Sequence, residues 1–290
     1  MQLNFEYEFE LYGYGESLAS QIVRMCLSEK ELKYKNHRIG LESTGEHLHK
    51  SYKKINPKCL VPTLLHNGCP IHDSVKIIDY LDNYDTSNAI RFFSDDVKKN
   101  VAIRELVREF SLDESISVGE NFGTSVAGIS TQILAHLICK RPLLSVLWDY
   151  TVKHPIRERA LIFILMRILG KPPSFKYRQF VSGIANGVVY VEKLLDLDAE
   201  YIMGEYSVAD VILSVLFHRL EITAFHKVLA SEKFPNVKSY WNSLKKRPSY
   251  TEAIINFEEE EWTDSKTHLY GAQENPEIEY FWSEVDRLKV

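Results

Sequence analysis

Apolar and polar positions alternate over short stretches in the first 83 residues and recur at helical spacing through most of the rest of the chain. Phe9-Glu10-Leu11-Tyr12 reads as a strand, and Leu18, Ile22 and Met25 line one face of a helix over 17–29. Residues 32–38 alternate enough for a second strand, and 46–54 form a short helix that Asn56-Pro57 stops, because the residue before proline is pushed out of the helical region. Two strands, 62–65 and 69–72, flank Asn67-Gly68, the strongest short-range hairpin signal. A helix over 74–83 follows, with Val75, Ile77, Ile78 and Leu81 on its apolar side. Crossover units demand parallel pairing and a two-residue turn demands antiparallel pairing, so βαβαββα predicts a mixed sheet.

After residue 83 the pattern is helical. Residues 84–93, with Asp85-Thr86-Ser87-Asn88, are polar and aperiodic and read as a linker. One long helix is expected over 95–120, then two or three over 130–170, interrupted at Pro142 and Pro155, and another over 174–196. Ser207-Val208-Ala209-Asp210 is a capping box with Asp in place of the usual Glu. The helix it opens, 208–225, is apolar nearly all round in its first turns and should be buried, which gives Asp210 a structural role. Glu258 to Glu261 begin an acidic stretch read as solvated. The expected organisation is a unit over 1–84, an all-helical unit over 94–258 with an insertion at about 123–174, and an acidic tail over 259–290.

Composition narrows the function classes. With 290 residues, 45% of them hydrophobic, the chain can bury a sizeable core. Its formal charge of -5 and the lack of a basic stripe interleaved with aromatics argue against nucleic acid. Met1-Gln2-Leu3-Asn4-Phe5-Glu6 lacks the basic and apolar segments of a secretory signal, so no export is expected. The apolar run 160–169 is interrupted by Arg167 and falls short of the roughly 18 residues that span a bilayer. Cys26, Cys59, Cys69 and Cys139 show no paired spacing and read as reduced cytosolic thiols. His47 and His49 lack a partner at metal-ligand spacing, so no metal is expected.

The stretch richest in chemistry is Val61-Pro62, the hairpin after it, and Asp73-Ser74 at a helix start. A polar pair at a helix N-terminus offers hydroxyl, carboxylate and backbone N–H groups to a small zwitterion. Together with the element order and the Ser207-to-Asp210 box, these features resemble the cytosolic glutathione S-transferase superfamily over about residues 8–257. The resemblance implies an α+β fold, with a thioredoxin-like N-terminal domain (βαβαββα) followed by an all-α C-terminal domain. The segment from His47 to Pro57 is similar to insect delta and theta-like transferases and to β-etherase-type members. Val208-Ala209-Asp210-Val211, His218-Arg219-Leu220 and the insertion are similar to ganglioside-induced differentiation-associated and tetrachlorohydroquinone dehalogenase-like proteins.

What the resemblance implies for the site is specific. Val23-Arg24 is similar to a pair in serine-type zeta members, which puts Ser17 on the catalytic serine and Ser20 on a second serine of that motif. Ser17 would stabilise the glutathione thiolate as a hydrogen-bond donor, with a helix N-cap as its plain structural role. A free thiol ionises near pH 8.5, so the site must lower that by roughly one to two units, or about 1.4–2.7 kcal/mol. Tyr12 and Tyr14 compete for this role, and the absence of a cysteine at the helix start argues against thiol transfer of the omega type. Ser74 would hold the γ-glutamyl carboxylate and Asp73 its ammonium, and Val61 would present its backbone to the cysteinyl part if the bond to Pro62 is cis. Lys58 or Lys54 would take the glycyl carboxylate, since the stretch before Pro62 lacks the family's Gln or His. Tyr14, Phe110, Glu114 and Ser117 are expected around the electrophile.

The expected activity is a cytoplasmic glutathione transferase of the detoxification type, a homodimer by family resemblance. Its thiolate would attack a small electrophile in conjugation, thiol exchange, ether cleavage or reductive dehalogenation. An alternative of another class is a binding or membrane-surface protein with little catalysis, motivated by Arg157, Arg159, Arg167, Lys171, Lys176 and Arg178 around the apolar 160–166 stretch. The plain reading of that segment is packing on the helical core. A third possibility is a structural subunit that has lost the ligand.

Overall fold

A computed structural model describes residues 3–84, 90–112, 116–196 and 199–288, apart from the side chains of Glu158 and Arg159. The alternating start of the chain forms β1 (Phe9–Gly13), buried along nearly its whole length because it is an inner strand of the sheet. Helix α1 (Leu18–Glu29) opens where the Ser17 hydroxyl accepts the Ser20 N–H at 3.3 Å, and it leads to β2 (Lys35–Arg38). A 3-10 turn (Glu46–Leu48) and α2 (Lys50–Ile55) precede β3 (Thr63–His66) and β4 (Cys69–His72). Asn67 (φ 49°) and Gly68 (φ 77°) both occupy the left-handed region that the tight hairpin needs. Helix α3 (Ser74–Tyr84) completes the unit. The sheet order is β2-β1-β3-β4, parallel between β1 and β2 and antiparallel elsewhere, the mixed sheet expected from the element order.

The remainder is helical. Helix α4 (Val97–Phe110) starts under an Asp96 cap and stops far short of residue 120. Asn121 accounts for the break: its Nδ2 donates to the Arg108 and Ser111 carbonyls at 2.8 and 3.2 Å, while its Oδ1 accepts the Thr124 N–H and starts α5 (Phe122–Ile129). Helices α6 (Thr131–Cys139), α7 (Leu143–Trp148), a π-helical turn (Asp149–Lys153) and α8 (Arg157–Leu169) form the insertion, with Pro142 capping α7 and Gly170 closing α8 at φ 70°. The stretch Phe122–Cys139 is long and apolar enough to cross a membrane, but 67% of it is buried, as in a core helix.

Helix α9 (Ser174–Leu194) leads to α10 (Val208–Ile222), buried from Val208 through Leu220. The Asp210 carboxylate accepts the Ser207 N–H (2.8 Å), the Ser207 hydroxyl (2.8 Å), the Ile202 N–H (2.9 Å) and the Tyr240 hydroxyl (2.7 Å). Its role is therefore structural, tying the helix start to the loop before it and to a later helix. Four further helices follow: α11 (His226–Leu229), α12 (Pro235–Leu244), α13 (Pro248–Ala253) and, after a 3-10 turn (Ile255–Phe257), α14 (Glu260–Tyr270); α15 (Ile278–Leu288) ends the described chain.

Two expectations are corrected here. The stretch after Glu258 is not a solvated tail. Trp262, Tyr270, Phe281 and Val285 are buried, because α15 packs on α9 and α14 on α6. Nor is the end of the linker free chain. Residues 85–89 lie outside the described residues, but Phe92 is fully buried, its N–H donates to Asp82 at 2.6 Å, and its carbonyl accepts the Val208 N–H. One continuous apolar core runs from the sheet through α1 and α3 into α4, α9 and α10.

Candidate active site

Strand register brings the predicted motifs to one end of the sheet. Gly13 pairs with Arg38, Tyr12 with Thr63, and Thr63 with His72. The loop from β1 to Ser17, the Val61-Pro62 bond just before Thr63, and Asp73-Ser74 just after His72 therefore share that edge. The Val61-Pro62 bond is cis, as the resemblance required.

Ser17 is half-buried at the mouth of α1, whose first turn carries no acidic residue. Its oxygen accepts the Ser20 N–H, which leaves its own proton available to another acceptor, so cap and thiol donor are compatible roles. Ser20 is fully buried beneath the loop, where its hydroxyl accepts the Tyr14 N–H at 3.4 Å. The two tyrosines are engaged elsewhere. Tyr14 is buried and its hydroxyl donates to Glu261, while Tyr12 donates to Glu10 at 3.3 Å and stacks on His37 with centroids 4.3 Å apart.

Two buried arginines hold the loop from below. Arg24 donates to the Tyr14 carbonyl (3.2 Å), the Gly15 carbonyl (2.6 Å) and the Ala253 carbonyl (2.7 Å). Arg219 donates to the Glu16 carbonyl and pairs with its carboxylate at 3.1 Å, both side chains being only 1% exposed. Burial pushes the Glu16 carboxyl up, and the adjacent Arg219 guanidinium opposes that shift. With three carbonyls drawn toward arginines, the loop is held in place at the N-terminus of α1, whose first N–H groups carry partial positive charge.

A lid closes over this loop. Gly15 donates its N–H to Glu259 at 3.2 Å, and a Cβ on Gly15 would fall 2.1 Å from the Phe257 carbonyl oxygen, so only glycine fits beneath the lid. Arg38 pairs with Glu259 at 3.0 Å, the Ser43 hydroxyl donates to Glu261 at 2.9 Å, and Arg219 lies under the Trp262 ring at 4.2 Å. Tyr14 packs in an apolar cluster with Ile133, Leu137, Trp262 and Tyr270, flanked by Leu41 and Val61.

This geometry corrects the expected electrophile pocket. Phe110 is fully buried in the main core, edge-on to Phe122 at 6.1 Å, and does not join the Tyr14 cluster. Ser117 is exposed, its N–H donating to Glu120 at 3.2 Å ahead of α5. Glu114 lies outside the described residues. The long helix that was to carry them ends at Phe110, so Ser117 falls outside it.

Ser74 begins α3, and Asp73 stands at φ 76° with its Oδ1 accepting the Val75 and Lys76 N–H groups at 2.9 and 3.4 Å. One Asp73 oxygen thus already caps the helix. Lys54 and Lys58 are exposed. Sequence reasoning missed Arg38, which the parallel register sets beside Gly13, and missed Arg219 and the lid. An arginine in an otherwise apolar helix was the available sign of a buried ion pair. The spacing of Ile278, Phe281, Trp282 and Val285 was the sign that the end of the chain is an amphipathic helix.

Residues 16–83 match the family model for the glutathione S-transferase N-terminal domain. The chain is 31% identical over 246 residues to a probable maleylacetoacetate isomerase of Vibrio cholerae serotype O1, covering 84% of this chain and 94% of that protein. It is 24% identical over 252 residues to glutathione S-transferase TCHQD of Arabidopsis thaliana, covering 84% and 89%. In fold it is similar to the β-etherase LigF of Sphingobium sp. strain SYK-6, with a TM-score of 0.76 and 22% identity over 86% of this chain and all of that one. Sheet, site edge and relatives agree: the chain belongs to the glutathione S-transferase superfamily and is a glutathione-dependent enzyme.

Proposed function

We propose that Ser17 activates the thiol of bound glutathione for attack on a small, largely apolar electrophile. The observation that carries this reading is the half-buried Ser17 hydroxyl at the N-terminus of α1, accepting one bond and keeping its proton to donate. That hydroxyl and the α1 N–H groups would favour the thiolate, a combined effect of about 1.4–2.7 kcal/mol for one to two pH units. Ser74 and the α3 N-terminus would hold the γ-glutamyl carboxylate, with Asp73 offering its second carboxylate oxygen to the ammonium. The backbone of Val61 would receive the cysteinyl part beside Pro62, and Lys54, Lys58 or Arg38 the glycyl carboxylate.

The electrophile would lie on the Tyr14 side, bounded by Leu41, Ile133, Leu137 and Trp262 and covered by α14. An apolar wall raises the effective strength of the Ser17 dipole on developing charge. Thiolate addition to an activated double bond and displacement of a leaving group both fit such a site. The isomerase name among its relatives favours the first, and the transferase and β-etherase names the second. Cytoplasmic localisation, dimerisation and a detoxification role are part of the same proposal.

The test is Ser17→Ala, assayed for kcat/KM against chlorodinitrobenzene and an activated enone, with ultraviolet titration of the bound thiol. We expect a loss of about 10- to 100-fold and an upward shift of thiol ionisation, with glutathione affinity nearly unchanged. Undiminished turnover with both electrophiles would remove Ser17 from the mechanism.

A further inference from the structure

We propose that the α7–α8 hairpin docks this enzyme on an anionic lipid surface. Ten of the 21 exposed large hydrophobic side chains among the described residues fall between 143 and 175. Helix α8 buries Ala160 and Met166 against its neighbours, with Phe163 and Ile164 packed beside them, so the plain expectation of core packing accounts for one face. The opposite face is apolar as well. Leu161, Ile162, Leu165, Ile168 and Leu169 recur at helical spacing and all stand exposed, Ile168 at 62%. On the packed neighbour, Leu144 (80% exposed), Trp148 (59%) and Val152 form a second stripe, and Phe175 (73%) lies just beyond.

Charge selects the occupant. Residues 140–178 hold nine lysines and arginines against two carboxylates, in a chain whose net charge is -5. Arg141 and Lys153 are paired with Asp149, and Arg178 with Glu277. Lys140, Arg157, Arg167, Lys171 and Lys176 have no carboxylate within ion-pair distance among the described residues. Arg157 precedes the α8 stripe and Lys171 and Lys176 follow it, so cations stand at both ends of an apolar face. Long cationic side chains at the ends of such a face reach lipid headgroups while the stripe enters the acyl boundary, and tryptophan suits that boundary. A second copy of the chain would bring like charges together on this face, which the same electrostatics opposes.

The proposal does not depend on the reading of Ser17. The full chain is mixed with phosphatidylcholine vesicles, with and without phosphatidylserine, and sedimented at low and high salt. We expect co-sedimentation with the phosphatidylserine vesicles alone, weakened by salt. Leu144→Glu and Ile168→Glu should each weaken binding at least about tenfold while glutathione turnover and Tm stay at wild-type values, because both side chains are exposed. Recovery of the wild-type chain in the supernatant with every vesicle would overturn the proposal, as would unchanged binding by both variants. Salt-resistant self-association that Ile168→Glu abolishes, without vesicle binding, would assign the face to a second copy instead.

Discussion

The buried pair of Glu16 and Arg219 shows how one side chain far along the chain sets the shape of the loop before α1. Both side chains are out of water, and Arg219 also takes the Glu16 carbonyl and faces the Trp262 ring. Removing one partner leaves an uncompensated charge, whereas removing both leaves a neutral site. We therefore expect Arg219→Met to cost about 3–5 kcal/mol in urea unfolding, and Glu16→Gln in the same chain to recover a large part of it. Additive losses in the double variant would mean that the two residues do not act as a pair. Arg219 was legible in the sequence as a motif neighbour of His218 but not as a support of the loop, since its partner lies 203 positions away.

At the scale of elements, the most consequential departure from the linear pattern is the C-terminal pair α14 and α15. Glu259 and Glu261 read as solvated because a run of carboxylates usually is, yet here they meet Gly15, Arg38, Tyr14 and Ser43. Phe281 is fully buried and packs near Phe225 with centroids 6.1 Å apart, so Phe281→Ala should destabilise by about 3–5 kcal/mol in equilibrium unfolding. A solvated tail would show no change. The βαβαββα order, by contrast, was legible, because strand alternation, the Asn67-Gly68 turn and the Ser17 cap are local signals, although β2 starts three residues later than expected and the helix expected over 46–54 divides into a 3-10 turn and α2. Helix lengths were less so: α4 ends at Phe110 because Asn121, 11 residues on, takes the carbonyls at its end.

Across the whole molecule, burial of histidines sets a pH dependence. Burial lowers His47, packed between the Gly40 carbonyl and His154, to about 4, and lowers His218, bonded to the Tyr250 hydroxyl, to about 3. In the unfolded chain both bind protons near pH 6.5. The unfolded state thus takes up protons first, and stability present above pH 6.5 falls as the pH drops toward 4 and then 3. We expect urea midpoints to decline over that window, and His47→Gln to flatten the decline between pH 6 and about 4 relative to the wild type. Equal slopes for the two chains would show that other groups govern acid unfolding. His47 also marks where the insertion lies, since His154 and the Lys53 bond to the Lys153 carbonyl (3.1 Å) join it to the N-terminal unit.

What the linear chain fixes by itself is everything carried by neighbours within a turn or a hairpin: the strand and helix order, the Ser17 and Ser207 helix starts, and the pairing of Asp73 with Ser74 at one helix mouth. Periodicity and capping chemistry act over a few residues, so they are written locally. Tertiary structure alone decides that Phe110 joins the core and Trp262 the site, that Arg24 and Arg219 turn the loop carbonyls inward, and that α8 keeps an apolar face uncovered. Burial and charge pairing between distant segments depend on which surfaces meet once the core closes, and no local pattern carries that information.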